Sequence, residues 1–341
     1  MYKHLRANLW LLLLSVALCS VVYPAILWGI GQALFPERAN GSIIFDKQKK
    51  PVGSRLICQP FTKDEYFQPR PSAASYNGAA SAASNWGANN YLLRNRVVRQ
   101  IGPLVRYGSG AKARQPAGPD IEDWFQKDRF QGHPGIVAQW AQTHSGLAQG
   151  WVKADAMNGE WVNAWRKEHP DEVARWIQDN PDTAEPKPED LATLFFTSYS
   201  KAHPGTFPGA VERKTNDGKV EKRIDPVKEG ADIQGIFFDM WRQDHPEVDL
   251  EPVPADMVLA SGSGLDPHIT LKSALYQLSR VAAAWSEKTR KDEAQLEKEI
   301  QTLLEEKAEA PLGGLAGVKL INVLEINLAL RDRYESPEER K

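Results

Sequence analysis

The feature that most limits how this chain can fold is a long stretch near its N-terminus without a single charged side chain. After Lys3 and Arg6 the next charged residue is Glu37, and residues 9–34 are dominated by Leu, Val, Ile, Ala and Trp. About 20 consecutive apolar residues suffice to cross a bilayer as a helix, which satisfies its own backbone polar groups in lipid. The reading is a cytoplasmic N-terminus at 1–6 and an uncleaved transmembrane helix at 7–34. The alternative is a cleavable signal peptide, whose apolar region covers about 7–15 residues and ends in small residues before the cut. The run here is longer and ends in Gln32-Ala33-Leu34-Phe35-Pro36 without such a site. Lys3 and Arg6 precede the helix, whereas Glu37 and Arg38 cancel each other beyond it. Positive charge stays inside. The expected topology is therefore single-pass, with the N-terminus cytoplasmic and the bulk of the chain periplasmic or extracellular.

The helix carries a second signal. Ala25, Gly29 and Ala33 form a small-x-x-x-small stripe at spacing four, which permits close helix packing in lipid. Pro24 begins that stripe and marks a point where the helix is expected to deform.

The remaining chain is ordinary for a folded domain. Net charge is −2 over 341 residues, so no basic excess points to nucleic acid. Cys19 lies inside the apolar run and Cys58 outside it, which excludes a disulfide between them.

Three extramembranous regions differ in character, and the fold class expected from them is α+β: a mixed extracytoplasmic domain with a mostly helical insertion. Residues 40–103 are rich in Gly, Ala, Ser and Asn, with strand-like runs at 42–45 and 54–57 that read as a hairpin. Residues 104–249 hold Trp124, Trp140, Trp151, Trp161, Trp165, Trp176 and Trp241. In this region an aromatic is followed four residues later by His at Trp140/His144, Trp165/His169, Tyr199/His203 and Trp241/His245. Short helices in series explain the pattern, each ending on an inward aromatic and a C-terminal His, with Pro able to open the next. His133, His169, His203 and His245 all precede Pro, but no pair among them has the spacing of about three or four that ligands on one helix need. No metal site is expected.

Residues 250–330 begin with a Gly- and Ser-rich loop. A helix then buries Leu271, Ala274, Leu275, Leu278, Val281, Ala282 and Trp285, and a charged helix at 287–307 buries Leu296, Ile300, Leu303 and Leu304. Residues 318–330 alternate as a strand would, and 331–341 form a charged tail.

At this point the sequence resembles a known family. GSRLICQPF at 53–61, YFQPRPS at 66–72 and SAASN at 81–85 follow the single span. VPAD at 253–256, ASGSGLDPHI at 260–269 and NVLEINLAL at 322–330 close the chain. In this order they are similar to the C subunit of the Kdp potassium-transporting ATPase. The resemblance covers 1–103 and 250–330, leaving 104–249 as an insertion, and Cys58 departs from a position where the family more often has a small residue.

The resemblance implies a non-catalytic accessory subunit of an ATP-driven potassium uptake pump in the bacterial inner membrane. Its implied partners are a channel-like potassium-binding subunit, a P-type ATPase subunit and a small single-span subunit. ATP, magnesium and potassium are used by such a complex, with no cofactor bound by this chain. The family's C subunit has also been called a catalytic chaperone that raises ATP affinity. The alternative is a free-standing, membrane-anchored ligand-binding or sensor protein of the envelope.

The residues carry no catalytic set of their own. The aspartyl-phosphate motif of P-type ATPases and a Walker A loop are both absent. Ser263, Asp266 and His268 have triad residue types, but Ser261 replaces the first Gly of a nucleophile elbow. The structural reading of 261–268 is a turn opening a helix, with Asp266 as cap and Pro267 in the first turn. The functional reading is a surface made by Ser261, Gly262, Ser263, Gly264, Asp266 and His268 that contacts the channel-like subunit or, through the free N–H groups of a helix N-terminus, the phosphate of a nucleotide. Docking is favoured, because this loop is expected outside and ATP inside. Arg55, Gln59, Arg70 and Asn85 would either hold loop carbonyls or join that surface near the ion entrance. Pro24, Ala25, Gly29 and Ala33 would serve packing within the membrane.

Overall fold

The computed structural model describes residues 2–46, 49–87, 89–129, 134–183, 185–214, 220–315 and 317–335. His133 and the tail beyond 335, both weighed above, lie outside the described residues. The chain divides into two compact units, Met1–Asn85 with Pro254–Lys341 and Trp86–Val253. Helices and short antiparallel strand pairs are mixed in both.

The first unit begins with a 33-residue helix, Tyr2–Leu34, long and apolar enough to cross a membrane and with no residue of its apolar window buried. At 1.5 Å per residue it reaches about 50 Å, more than a hydrocarbon core of about 30 Å. It widens to a π turn over Leu18–Val22, where the Tyr23 N–H bonds to the Leu18 carbonyl. Pro24 explains the position, since proline lacks an N–H and its ring presses on the carbonyl four residues earlier.

A hairpin follows, but its second arm is Pro51–Ser54 rather than 54–57. Ile43 pairs with Ser54, Ile44 with Gly53 and Phe45 with Pro51. The Arg55 N–H still bonds to the Ser42 carbonyl at 3.0 Å, and from there the chain turns to other partners. Asn322 Nδ2 donates to the Arg55 carbonyl at 2.9 Å, and the Cys58 N–H donates to the Leu265 carbonyl at 2.9 Å.

The core of this unit is a helical hairpin, Leu271–Thr289 and Glu293–Lys307, closed by the helix Val323–Tyr334. Trp285, Leu278 and Val281 of the first helix pack with Leu296, Ile300 and Leu304 of the second. Leu275, expected on the buried face, is 39% exposed, and Tyr276 and Gln277 are buried instead. Arg290 at φ 58° ends the first helix, and the Asp292 side chain accepts from the Gln295 N–H to start the second.

The expected strand at 318–330 is a strand for three residues only. Leu320–Asn322 pairs antiparallel with His268–Thr270, after which Asn322 caps a helix by accepting from the Glu325 N–H. Burial of Val323, Ile326, Asn327, Leu330 and Tyr334 follows a 3.6-residue period. The alternation of Leu324, Ile326, Leu328 and Leu330 suggests a strand, but the Asn322 cap starts a helix there instead.

The second unit is the series of short helices expected, with one addition. Backbone N–H groups of His144, His169, His203 and His245 bond to the carbonyls of Trp140, Trp165, Tyr199 and Trp241, closing four helices alike. The His169 and His245 rings stack on Trp165 and Trp241 at 4.9 and 5.2 Å. Pro170 opens the next helix, whereas Pro204 and Pro246, expected to do the same, lie in turns. The addition is a hairpin, Phe207–Lys214 paired with Val220–Val227, whose Phe207 enters the aromatic core with Trp140, Phe196 and Phe237.

Candidate functional site

Residues 55–85 contain hardly any regular structure, so their backbone groups need partners from elsewhere. Side-chain amides supply them. Asn327 Nδ2 donates to the Phe67 carbonyl, and Asn327 Oδ1 accepts from the Phe67 N–H, both at 2.9 Å. Gln277 does the same for Gln68, accepting from its N–H at 2.7 Å and donating to its carbonyl at 3.1 Å. Arg280 Nη2 donates to the Tyr66 carbonyl at 3.0 Å and to Gln277 Oε1 at 3.0 Å. Two helices thus stand in for a neighbouring strand. Nothing in the local sequence around Asn327, Gln277 or Arg280 marks them for this role.

The Gly- and Ser-rich loop is seated on the next part of this segment. The Ser261 N–H donates to the Pro71 carbonyl at 3.2 Å, and the Ala82 N–H donates to the Ser263 carbonyl at 3.1 Å. Ser72 Oγ donates to the Gly264 carbonyl at 2.5 Å while accepting from the N–H groups of Ala74 and Tyr76. Gly264 has φ +71°, and a Cβ there would lie 2.8 Å from the Ala82 carbonyl oxygen and 2.9 Å from Ala74 Cβ. Only glycine fits both the angle and the space. Arg70 Nη2 donates to the Ala260 carbonyl at 3.3 Å, and Nη1 stands 3.6 Å from Asp266 Oδ2.

Asp266 does not cap a helix. Its Oδ1 accepts from the His268 N–H at 3.0 Å and lies 3.1 Å from His268 Nδ1. His268 then enters the strand, and the helix begins three residues later under Thr270, whose hydroxyl accepts from the Ser273 N–H. Thr270 is itself fixed by Asp256, which accepts from its N–H at 2.7 Å and its hydroxyl at 3.0 Å. The hydrogen bond from His268 holds the Asp266 carboxyl below the usual carboxylate range, against the opposing effect of burial. Ser263 Oγ accepts from the Leu265 N–H at 3.1 Å. The three triad residue types therefore serve the turn.

Arg55 links two parts of the same unit. Its Nη1 pairs with Glu37 at 3.0 Å, immediately beyond the apolar helix, and its Nε pairs with Glu325 at 2.5 Å. Gln59 Nε2 donates to the Val52 carbonyl at 2.9 Å and packs over Gly53, where a Cβ would collide with it. Burial, reinforced by the Asp266 charge, pushes the Cys58 thiol up to about 12, which keeps it protonated and inert at neutral pH.

The structure brings Arg70, Ser261, Ser263, Gly264, Asp266 and His268 together. Within this cluster Gly262 and Ser263 are exposed, while Ser261 and Gly264 are buried. Asn85 is exposed at φ 51° and stands outside the hydrogen-bond network of that cluster. Pro24, Ala25, Gly29 and Ala33 lie on the exposed apolar helix, and a Cβ at Gly29 would meet nothing within 4 Å. Among the described residues no group of three or more His, Cys, Asp or Glu could hold a metal ion.

The family model described as K+-transporting ATPase, c chain, matches residues 5–120 and 214–332, more than half of the chain, leaving 121–213 unmatched. The potassium-transporting ATPase KdpC subunit of Pseudomonas syringae pv. tomato is 42% identical over 110 residues, 32% of this chain and 58% of that protein. That of Pseudomonas aeruginosa is 46% identical over 99 residues, 29% of this chain and 54% of the relative. The Geobacter sulfurreducens subunit is 42% identical over 118 residues, covering 34% and 61%. The matched segments thus span little more than half the length of these curated relatives. With both matched blocks contributing to the seat of the 260–268 loop, the chain belongs to the KdpC family, the c chain of K+-transporting ATPases.

Proposed function

We propose that this chain is a non-catalytic accessory subunit of an ATP-driven potassium uptake pump in the bacterial inner membrane. One observation carries the non-catalytic part. The polar groups of the 260–268 loop are committed to the turn and its neighbours, through Ser72, Ser263, Asp266 and His268. A loop so tied is a rigid surface rather than a reacting centre. Nor does the Leu271–Thr289 helix offer a free N-terminus to a phosphate. The Leu271 N–H is bonded to the Lys319 carbonyl, and the Thr270 hydroxyl takes the Ser273 N–H.

In this reading the Tyr2–Leu34 helix spans the membrane with its N-terminus in the cytoplasm, and the remainder lies outside. The helix packs through Ala25, Gly29 and Ala33. The exposed rim of the outer loop, Gly262 and Ser263 with half-exposed His268, docks the channel-like subunit near the ion entrance. Arg55 transmits the position of the membrane helix to the outer domain through Glu37 and Glu325. ATP hydrolysis belongs to the P-type ATPase subunit, and a small single-span subunit completes the assembly. By fixing its partners, the chain can also raise the potassium or ATP affinity of the whole.

Gentle detergent extraction of the native membrane, followed by affinity capture of this chain, tests the reading. A P-type ATPase and a channel-like protein are expected in the same fraction. Recovery of the chain alone would overturn the proposal and favour a free-standing, membrane-anchored ligand-binding protein.

A further inference from the structure

The apolar surface of the first unit continues past the end of its long apolar helix. Leu34 and Phe35 at that end are both more than half exposed. In the hairpin that follows, Ile43 is 39% exposed and Phe45 and Leu56 are each 58% exposed. Ile43 and Phe45 share one side of their strand, since side chains alternate and the intervening Ile44 is half-buried. Single exposed apolar side chains are ordinary, but three on one small hairpin, beside an apolar helix end, mark a contact surface.

The way the hairpin is fastened indicates what covers it. Asn40 and Gln32 bond side chain to side chain at 3.3 Å, across the short helix Pro36–Ala39. The Ser42 N–H donates to the Glu37 carbonyl at 2.9 Å, and Ser54 Oγ donates to the Gly41 carbonyl at 2.7 Å. Both arms of the hairpin are thus tied to the end of the apolar helix. Ile43 lies back over Gly41, where a Cβ would be 3.8 Å from its Cδ1. From Ile43 to Phe45 the strand advances only about 7 Å. The headgroup layer has a similar depth, about 5–8 Å on each side of the hydrocarbon core. Side chains this close to the exit of a spanning helix lie at headgroup depth.

The charges agree. Glu37 is held by Arg55 at 3.0 Å, and Asp46 accepts from the Lys50 N–H at 2.7 Å. Arg38, Lys49 and Lys50 are exposed and form no ion pair with a described residue, which leaves the hairpin and its base with available positive charge. Basic side chains beside an apolar patch suit a bilayer containing anionic phospholipid, because they reach its phosphates while the apolar groups enter the acyl boundary. We propose that the hairpin at 43–54 rests on the bilayer surface where the Tyr2–Leu34 helix ends. Ile43, Phe45 and Leu56 enter the headgroup–acyl boundary, and Lys49 and Lys50 meet anionic lipid phosphates. The contact is a second anchor. A domain held by one helix can swing about it, whereas two adjacent attachments fix its tilt over the membrane. The proposal rests on the reading that this helix spans the bilayer.

The test places the photo-crosslinking residue p-benzoylphenylalanine at Phe45 of the full chain, or at Ile44 as a control on the other side of the strand. Both variants are irradiated in nanodiscs of phosphatidylcholine, alone or mixed with phosphatidylglycerol. Lipid adducts at position 45 should exceed those at 44 at least fivefold, and should at least double when phosphatidylglycerol is present. Lys49→Glu together with Lys50→Glu should abolish that increase. Equal adducts at the two positions, or no response to phosphatidylglycerol, would overturn the proposal. So would adducts at position 45 that form chiefly with protein when the native membrane is irradiated, since the hairpin would then face a partner subunit. Carbonate extraction of the same variants checks the helix separately. Release of the chain would overturn the spanning reading, whereas a retained chain without lipid adducts at position 45 would overturn only the hairpin contact.

Discussion

Asn327 and Phe67, 260 residues apart in sequence, exchange two hydrogen bonds of 2.9 Å each, so that a fully buried side-chain amide acts as the strand partner of an otherwise unpaired residue. This pairing ties the N-terminal block of the family match to its C-terminal block.

Replacing Asn327 with Ala strands the Phe67 N–H and carbonyl in a dry core. Each unsatisfied buried group costs about 1–3 kcal/mol, so the loss should be on the order of 2–5 kcal/mol. Denaturant midpoints of the full chain, compared with Asn327→Ala, check the magnitude. An effect below about 1 kcal/mol would mean that the segment finds other partners.

Gly264→Ala places a methyl group 2.8 Å from the Ala82 carbonyl oxygen at a backbone angle that favours glycine. The expected cost is about 1–3 kcal/mol from left-handed strain and overpacking together. Gly262→Ala provides the control, since a Cβ there meets nothing within 4 Å. Thermal midpoints of the two variants should separate clearly, with Gly262→Ala near the native value.

Stability should depend on pH through Asp266. Its carboxyl is held below its ordinary value, 3.8, chiefly by the His268 hydrogen bond. A carboxyl lowered on folding adds stability above that ordinary value and loses it as pH falls through the folded one. The native chain should therefore lose unfolding midpoint more steeply below about pH 4 than Asp266→Asn does. Midpoints measured from pH 6 to pH 3 give the comparison, and parallel slopes would remove Asp266 from the acid response.

Gly29→Ile adds bulk to the small-residue stripe of the exposed apolar helix, where no neighbour within the chain opposes it. Close helix packing in lipid depends on small residues at such spacing. Membrane insertion should be unchanged, whereas recovery of pump subunits with the chain should fall several-fold. Carbonate extraction measures the first and co-purification the second. Unchanged co-purification would leave the helix as a tether only.

Legibility in the sequence divides along one physical line. The sequence by itself determined what is decided within a few residues. The apolar run at 9–34 dictates a long helix, and the aromatic-to-His spacing marks four helix ends whose backbone bonds close as expected. Residues 261–268 were legible as a turn requiring glycine, although the cap proved to be Thr270 rather than Asp266.

Only the tertiary structure decided features whose partners are remote. The alternation at 320–330 reads as a strand, yet the Asn322 cap and the burial of Ile326, Asn327 and Leu330 in the core make it a helix. The roles of Asn327 and Gln277 were invisible because the backbone groups they satisfy lie 260 and 209 residues away. An amide in a helix carries no local sign of such a task. Its necessity arises only when folding removes water from Phe67 and Gln68, leaving those groups to find a partner in the core.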